Sequence, residues 1–379
     1  MHKPLYVDIH VLQTVPPSCI NRDDTGSPKT ARFGGVRRAR VSSQAWKKAI
    51  RDEFASLLDE SAIGLRTMHA VAQIAGAIRE ALPDLTDADI AKMAEESLKA
   101  TGIKLKGQET GYLLFISPMQ ICGLADLAVS AYRMGTKLNS KEAKAILNPK
   151  ERPTLNAVDI ALFGRMVADA PVLNIDASVQ VAHAIGIEEA ETEFDYFTAM
   201  DDLSPEDNAG AGMIGTVEYL SSTLYRYATL DVYHLYENLG SIQAVEKAVE
   251  AFLQAFVRSM PTGKQNTFAN RTMPSAVMIQ LRDTQPVSLA NAFEKPVRAY
   301  AGKGTLEVAC ERLVKQEQHI DHAFGVAPKK TYVVCGAPGA EGLEILADEG
   351  TNMNEAVGQT VEMVGAYLKS CGFVDEGQD

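Results

Sequence analysis

The chain has 379 residues, of which 46% are hydrophobic, and it carries a formal net charge of −12 at pH 7. This composition excludes a disordered tail and predicts a core large enough for one elaborated domain or a few smaller ones. Charge or glycine interrupts every apolar stretch before the ~18 residues that a membrane span needs, and the first residues are typical of a strand rather than a signal peptide. We therefore expect a soluble cytoplasmic protein that does not contact membranes.

Cysteine and histidine usage gives no sign of a metal centre. The five cysteines are scattered without a C-x-x-C pair, and the seven histidines do not cluster except for His319 and His322. These two, with Asp321 between them, are more typical of a solvated polar helix face than of a metal site. A disulfide framework and a zinc site both require such spacing. We expect no cofactor and no bound metal.

The first predicted element is a strand, Leu5–Val11, whose apolar residues alternate with a polar face. We expect that polar face to be accessible, and it consists of Tyr6, Asp8 and His10. A long loop rich in turn-forming residues follows. Ser42 can then cap a helix that runs to about Leu58. Its apolar stripe is Trp46, Ile50, Phe54 and Leu57.

Residues 60–150 are predicted to be mainly helical. Further strands are predicted at Tyr112–Ile116, Val158–Met166, Ser222–Val232, Ala276–Leu281 and Thr331–Cys335. Helices are predicted at Ile242–Met260 and Asn352–Leu368. Without the insertions, the order is strand, helix, strand, strand, helix, strand. This is the ferredoxin-like (RRM-like) order of an α+β fold, which RNA-recognition domains use.

One segment is free of the negative charge that dominates elsewhere. Thr25–Arg51 contains eight cations and no carboxylate, so the rest of the chain carries −20. Binding of a polyanion needs several cations in sequence, together with amide and hydroxyl donors, and glycine where the backbone must approach closely. The segment and the adjacent loop supply Asn21, Arg22, Lys29, Arg32, Arg37, Arg38 and the pair Gly34-Gly35.

The helix after this loop continues the same pattern. At ~100° per residue, one face collects Gln44, Lys47, Lys48 and Arg51. Unpaired N–H groups near Ser42 and Ser43 would also attract phosphate. Single-stranded nucleic acid is the hypothesis that this pattern favours, and a solvated basic face is the alternative.

A second segment has the opposite charge. Residues 187–208 contain nine carboxylates and no cation, together with Phe194, Tyr196, Phe197 and Met200. An aromatic hairpin could wedge between bases, but its charge favours a protein partner. Contact with the basic segment of the next copy would propagate head to tail. A disordered acidic loop is the alternative.

Catalysis is a competing hypothesis. His10 on the strand, with Asp23 and Asp24, could serve a nuclease as acid, base and metal ligands, although no motif places them together. The run from Gly263 to Thr267 resembles a phosphate contact but lacks the spacing of a Walker loop. A generic basic-patch protein would show no preference for RNA over other polyanions.

Several runs of residues, spread over nearly the whole chain, combine into one pattern. They are SCINRDDTGSPKTARFGGVRRARVSSQAWKKAIR, VDIALFGRM, FTAMDDL, YRYATLD, ENLG, GKQNTFA and SLANAFEKPV. Together they resemble the CasC family, the repeated backbone subunits of the type I-E CRISPR Cascade complex. The resemblance implies a non-catalytic subunit that polymerises along the CRISPR RNA spacer and presents it for pairing with target DNA in antiviral defence. An RNA-processing endoribonuclease of the same superfamily is the alternative.

The resemblance also implies a hand-shaped fold. Its palm would comprise residues 1–60, 156–180 and 210–379, its helical fingers 61–155, and its thumb β-hairpin 181–209. The partners implied are CRISPR RNA, target DNA through the guide, other copies in a filament, and the capping, large, small and RNA-processing Cascade subunits.

Site residues follow from the matching positions. The guide backbone would be held by Asn21, Arg22, Lys29, Ser42, Gln44, Lys47, Lys48, Arg51 and Lys264. Arg165, Met166 and Thr198 would lie where the thumb interrupts the guide. Arg37 and Arg38 join the RNA-binding set from the charge pattern, and Phe194, Tyr196 and Phe197 form the expected subunit interface.

Overall fold

The structure, a computed structural model, describes residues 4–199 and 213–373. Its strands are β1 (Tyr6–Ser18), β2 (Thr30–Phe33), β3 (Val36–Val41), β4 (Leu65–Thr67), β5 (Leu105–Lys106), β6 (Glu109–Thr110), β7 (Leu114–Ile116), β8 (Val179–Val181), β9 (Ala184–Gly186), β10 (Glu193–Ala199), β11 (Met213–Asp231), β12 (Ala276–Arg282), β13 (Lys330–Cys335) and β14 (Glu349–Gly350).

The α-helices lie between and around these strands. They are α1 (Ser43–Phe54), α2 (Ala70–Ala81), α3 (Asp87–Ala100), α4 (Pro118–Met134), α5 (Ser140–Leu147), α6 (Val158–Phe163), α7 (Val232–Leu239), α8 (Ile242–Arg258), α9 (Gln265–Phe268), α10 (Thr305–Phe324) and α11 (Met353–Ser370). None of the helices in the two described ranges is long and apolar enough to cross a membrane.

Strand β1 lies at the centre of the main sheet. It pairs antiparallel with β11 on one side and β12 on the other, so that Val7 lies opposite both Leu230 and Leu281. Strand β8 pairs antiparallel with β11. The elements β1, α1, β8, β11, α8 and β12 follow one another as strand, helix, strand, strand, helix, strand. The α+β class is confirmed, and the ferredoxin-like name stays our interpretation of this order.

The predicted strand Val158–Met166 is wrong, because its first six residues form helix α6. The helix residues Val158, Ile160 and Leu162 are all buried, and Gly164, where φ is 80°, ends the helix. A short apolar run that is buried on every side looks the same in sequence as a central strand. The second strand of the expected order is β8 instead.

The main sheet is covered on both faces. On one face, Val7 and Ile9 pack with apolar residues of α1, α8 and α11 in a single core. On the other face, Leu12 and Tyr225 pack with Phe293 and with residues of α10 such as Leu313. The expectation that the polar face of β1 is accessible is therefore wrong.

Residues 70–147 form a separate helical core. Helices α2 to α5 pack on one another through Ile74, Leu98, Leu124 and Ile146. The predicted strand in this region is confirmed as β7, which pairs antiparallel with β4. The boundaries of a fingers subdomain at 61–155 stay a prediction.

A two-stranded ribbon extends from the sheet. Strand β10 pairs antiparallel with the first part of β11, from Glu193 opposite Tyr219 to Ala199 opposite Met213. Strand β10 lies within the predicted thumb at 181–209, whereas β11 begins in the residues assigned to the palm, and these boundaries stay a prediction. Residues 200–209 of the predicted thumb, which include Met200, lie outside the described residues.

Candidate nucleic-acid interface

The loop between β1 and β2, residues 19–29, is held in shape by its own polar groups. The Thr25 hydroxyl donates to Oδ1 of Asp23 over 2.7 Å, and the N–H groups of Ser27 and Thr25 donate to the same atom, each over 3.0 Å. These bonds, the hydroxyl bond most of all, lower the pKa of that carboxyl. The Lys29 N–H donates to the Asn21 carbonyl over 2.9 Å. The loop therefore presents Arg22 and Lys29 from an ordered turn.

The hairpin of β2 and β3 carries the next cations. Its turn is Gly34-Gly35, with φ angles of 61° and 84°, a conformation that glycine adopts without strain. A Cβ atom on Gly34 would lie 1.5 Å from the Glu294 carbonyl oxygen, so no larger residue fits. Arg32 and Arg37 lie directly opposite each other on the two strands, and both are exposed. Two like charges in this position repel each other, and a bound anion would offset that repulsion.

Arg38, the next residue, does not belong to this interface. Its side chain is fully buried, and it donates to the carbonyl oxygens of Gly186, Ile187, Phe293, Glu294 and Phe33 over 2.7 to 3.2 Å. The N–H groups of the guanidinium are therefore bonded inside the protein and are not available to a phosphate. We remove Arg38 from the RNA-binding set because it joins β3 to the segment before α10.

Lys264 lies beside the loop after β1, as its predicted role requires. A Cβ atom on Gly263 would lie 2.3 Å from the Ile20 carbonyl oxygen, so glycine allows the two backbones to touch. Lys264 follows in the left-handed region, with φ of 49°. Burial raises the pKa of the Cys19 thiol, the nearby cations Arg22 and Lys264 oppose that shift, and Glu218 and Asp23 add to it more weakly. These two cations therefore act on the same small volume.

The start of α1 is capped by the protein itself. The Ser42 hydroxyl accepts from the Ala45 N–H, which confirms the predicted cap. However, the Ser42 N–H donates to Asn21 Oδ1 over 2.8 Å, and the Ser43 N–H donates to His183 Nδ1 over 3.2 Å. The expectation of unpaired N–H groups at these two residues is wrong. Asn21 and Ser42 therefore hold the start of α1 in shape by accepting through their side-chain oxygens.

The exposed face of α1 divides into free and paired cations. Gln44 is exposed, and Lys47 is half-buried with its Nζ 5.6 Å from the centre of the Phe163 ring. Burial lowers the pKa of Lys47. Lys48 pairs with Asp52 one turn later, Nζ to Oδ1 over 2.5 Å. Such exposed pairs are weak, so Lys48 can still exchange its partner for a phosphate.

Arg51 has a structural role. Its Nε atom lies 3.0 Å from Oδ2 of Asp159, a fully buried carboxylate on α6, and its guanidinium stacks on Phe115 at 4.5 Å. Burial raises the pKa of Asp159, and the Gly64 N–H and Arg51 oppose that shift. Reversing the charge of Arg51 would leave a buried carboxylate without its cation, so it is a poor test of RNA binding.

A set of cations remains for an anionic ligand. With the described part of the chain, these residues form no salt bridge: Arg22, Lys29, Arg32, Arg37, Arg40, Lys47 and Lys264. We call these seven residues the basic surface. An acidic chain that leaves so many neighbouring cations without a carboxylate has the electrostatics of a phosphate-binding site.

His183, between β8 and β9, joins the basic surface and was missed by sequence reasoning. Its Nδ1 atom lies 3.4 Å from Nη1 of Arg40 and accepts from the Ser43 N–H. Burial, Arg40 and Lys29 all lower the pKa of His183. The ring is 140 residues from Ser43 in the chain, and no local pattern signals this contact.

The predicted residues at the guide interruption separate into two kinds. Arg165 is buried and donates to the carbonyls of Leu173 and Leu147 and to Gln120, so it is also removed from the RNA-binding set. Met166, the next residue, is 80% exposed, and Thr198 is exposed on β10. Both remain available to a ligand.

The ribbon of β10 and β11 exposes large apolar side chains. Phe194 and Tyr196 are 66% and 64% exposed and share a face with Ile214, which is also exposed. Phe197 lies on the other face, across Gly215. Two carboxylates before β10 already have partners inside the protein. Glu188 accepts from the Ser222 hydroxyl and the Thr223 N–H, and Glu189 pairs with Arg298 at 3.8 Å.

The residues of the nuclease hypothesis do not converge. His10 is 2% exposed, and its Nδ1 lies 2.9 Å from the Tyr225 hydroxyl. Burial and Arg282 lower its pKa to about 3. Asp23 is committed to its loop turn. Within the described residues, no group of three or more metal-ligating side chains could hold an ion.

The chain matches a known protein family over most of its length. Residues 7–359 match the family model for CT1975-like protein. The chain belongs to this CT1975-like family of Cas proteins. No match was found among curated proteins.

Solved structures resemble this family member over nearly its whole length. A chain of a "CRISPR RNA-guided surveillance complex, pre-nicking" is 31% identical with a TM-score of 0.81, covering 95% of this chain and 100% of its own. A chain of a "CRISPR RNA-guided surveillance complex" is 26% identical with a TM-score of 0.71, covering 94% and 99%. A Cas-family identity is confirmed, and the assignment to type I-E CasC stays a prediction.

Proposed function

We propose that this protein is a subunit of a CRISPR RNA-guided surveillance complex and that it binds the guide RNA along its sugar-phosphate backbone. The basic surface is the observation that carries this proposal. Six cations on one loop, one hairpin and one helix face, and Lys264 just before α9, remain without carboxylate partners among the described residues, although the whole chain carries −12. The resemblance of the fold to chains of such complexes supports the same ligand.

In finer detail, we propose the role of the repeated, non-catalytic backbone subunit of a type I-E Cascade complex in the cytoplasm. A scaffold that contacts phosphates leaves the base edges free. Target DNA can then be read by pairing with the guide while the protein supplies shape and charge. The capping, large, small and RNA-processing subunits would complete the assembly.

Head-to-tail polymerisation is part of the proposal. The exposed face of Phe194, Tyr196 and Ile214 is large and apolar, and the ribbon also carries the exposed carboxylates Glu193 and Asp195. A neighbouring copy with a basic surface complements this charge. The basic surface would then meet both RNA and the next subunit.

The non-catalytic assignment rests on His10. A general base must reach the proton that it removes, and this ring is buried beside two tyrosines of β11, with its centre 6.2 Å from the Tyr225 ring and 5.0 Å from the Tyr227 ring. Cleavage of guide RNA by the purified chain, lost on substitution of His10, would favour the processing-nuclease alternative instead.

The test is charge reversal on the basic surface with a matched control. Arg22→Glu, Lys29→Glu and Arg37→Glu are combined in one chain, because the structure gives none of these side chains a carboxylate partner in its described part. We expect guide RNA affinity to fall about a hundredfold or more, since three phosphate contacts become repulsions. Thermal unfolding should be unchanged.

The control carries the same change of charge in the fingers region. The substitutions Lys92→Glu, Lys104→Glu and Lys141→Glu alter exposed lysines on the surface of the helical region 70–147. This chain should bind guide RNA within about threefold of the parent, since distant exposed charges are largely screened. Equal loss in both variants, or full binding by the first, would contradict the proposal.

A further inference from the structure

The protonation state of His183 can be read from its hydrogen bonds. Its Nδ1 atom faces two donors, the Ser43 N–H at 3.2 Å and Arg40 Nη1 at 3.4 Å. A nitrogen that accepts from two N–H groups must carry a lone pair. The ring is therefore neutral here, with its proton on Nε2.

The surroundings favour this neutral form. The charged groups that act on the ring from the described residues are Arg40 on β3 and Lys29 at the end of the preceding loop, and both are cations. The third neighbour, the first turn of α1, presents an N–H donor rather than an acceptor. Together with partial burial, these groups lower the pKa of His183.

A bound phosphate would reverse each of these effects. Its negative charge neutralises Lys29 and Arg40, and it gives the Arg40 guanidinium a stronger acceptor than an imidazole nitrogen. Once Arg40 turns to the phosphate, Nδ1 loses one of its two donors. The imidazolium can then form beside an anion instead of beside two cations.

We propose that His183 takes up a proton when an RNA phosphate binds beside Lys29 and Arg40, so that the protein holds RNA more tightly as the pH falls. The proton comes from solvent and adds to Nδ1. The hydrogen bonds from Ser43 and Arg40 to that atom break, and Nδ1–H donates to a phosphate oxygen. This inference rests on the proposed RNA-binding function.

The direction of the pH effect follows from linkage. A base whose pKa is lower in the free protein than in the complex binds its proton on complex formation between the two pKa values. Affinity should thus be highest below the free value and should decline as the pH rises through the bound value. The change approaches about tenfold per pH unit inside that window.

Calorimetry of a short single-stranded RNA binding to the full chain tests this. Titrations at pH 6.5 in two buffers of different ionisation enthalpy report the number of protons taken up. The variant is His183→Gln, whose amide oxygen can still accept from the Ser43 N–H while the side chain cannot take a proton. His69→Gln, at an exposed histidine before α2, is the matched control.

The parent and the His69→Gln control should take up a fraction of a proton, whereas His183→Gln takes up none. The pH dependence of affinity between pH 6 and 8 should flatten in that variant alone. Equal proton uptake by the parent and His183→Gln would overturn the inference. Absence of RNA binding by the parent at every pH would instead contradict the proposed function, so the two failures are distinguishable.

Discussion

Adjacent arginines on β3 show two uses of the same side chain. Arg37 is exposed on the hairpin, opposite Arg32 and without a carboxylate partner among the described residues. Arg38 points into the protein and satisfies five backbone carbonyls. A cluster of cations in the sequence therefore contains both ligand-binding and structural side chains. Neighbouring residues of a strand point to opposite faces, and this geometry decides which role each arginine has.

The structural arginines share one feature, which is a dense set of internal acceptors or aromatic rings. Arg226 lies between Trp46 at 3.7 Å and Phe256 at 4.5 Å, and burial lowers its pKa to about 9. Arg282 lies between the buried carboxylates of Asp8 at 3.2 Å and Glu317. Exposed members of the basic surface have no such acceptors in the described structure, and this leaves their charge to an external anion.

Arg38 and Arg37 should differ most in what they contribute to stability. Arg38→Ala should lower the free energy of unfolding by about 3 kcal/mol or more, because buried carbonyl groups lose their donor. Arg37→Ala should change it by no more than about 0.5 kcal/mol, as for most exposed residues. Denaturant unfolding of the two variants beside the parent gives both values.

RNA binding should show the opposite order in protein that remains folded. Arg37→Ala should weaken binding to guide RNA, whereas Arg38→Lys, which keeps the charge but not the planar fork of donors, should alter stability and leave the phosphate contacts in place. A stable Arg38→Ala chain with lost RNA binding would contradict the division between the two residues.

A smaller effect concerns the buried side of β1. The pKa of His10 is lowered to about 3 in the folded chain, below its ordinary value of 6.5. Its contribution to stability is therefore complete above pH 6.5 and is lost as the pH falls toward 3. Between pH 6.5 and 5 the parent should lose about 2 kcal/mol from this residue. His10→Gln, which does not titrate, should lack that loss.

Asp8 acts in the other direction and serves as an internal check. Burial raises its pKa to about 6, so its contribution falls as the pH rises through 6. Asp8 is present in both chains, and the difference between parent and His10→Gln isolates the histidine. Equal pH dependence of unfolding in the two chains would show that His10 reaches solvent, which the nuclease hypothesis requires.

Local features were predictable from the sequence. The cap at Ser42 and the buried stripe Trp46, Ile50 and Phe54 were confirmed, because both depend on residues within a few positions of one another. The central strands and helix α8 were confirmed for the same reason. In the candidate site, the exposure of Arg22, Gln44 and Met166 agrees with the charge and motif pattern.

Long-range contacts explain what was missed. Whether Arg38 or Arg165 is buried depends on carbonyls of distant segments such as Phe293, 255 residues away from Arg38. The coverage of the β1 polar face depends on α10, which packs there from near the other end of the chain. His183 enters the site only through the pairing of β9 with β3. These contacts join residues that are far apart in the chain, so no local pattern in a single sequence signals them.

If the basic surface binds the phosphates of RNA, the affinity for RNA must depend on salt concentration through these cations. For single-stranded RNA, the logarithm of the affinity falls as the logarithm of the salt concentration rises. The magnitude of this negative slope should become smaller by ~0.7 for each lost phosphate contact. We predict that decrease for Arg22→Ala, Lys29→Ala and Arg37→Ala with every RNA sequence tested, and no change for Lys92→Ala. Parent slopes in all three variants, or losses confined to one RNA sequence, would contradict the account.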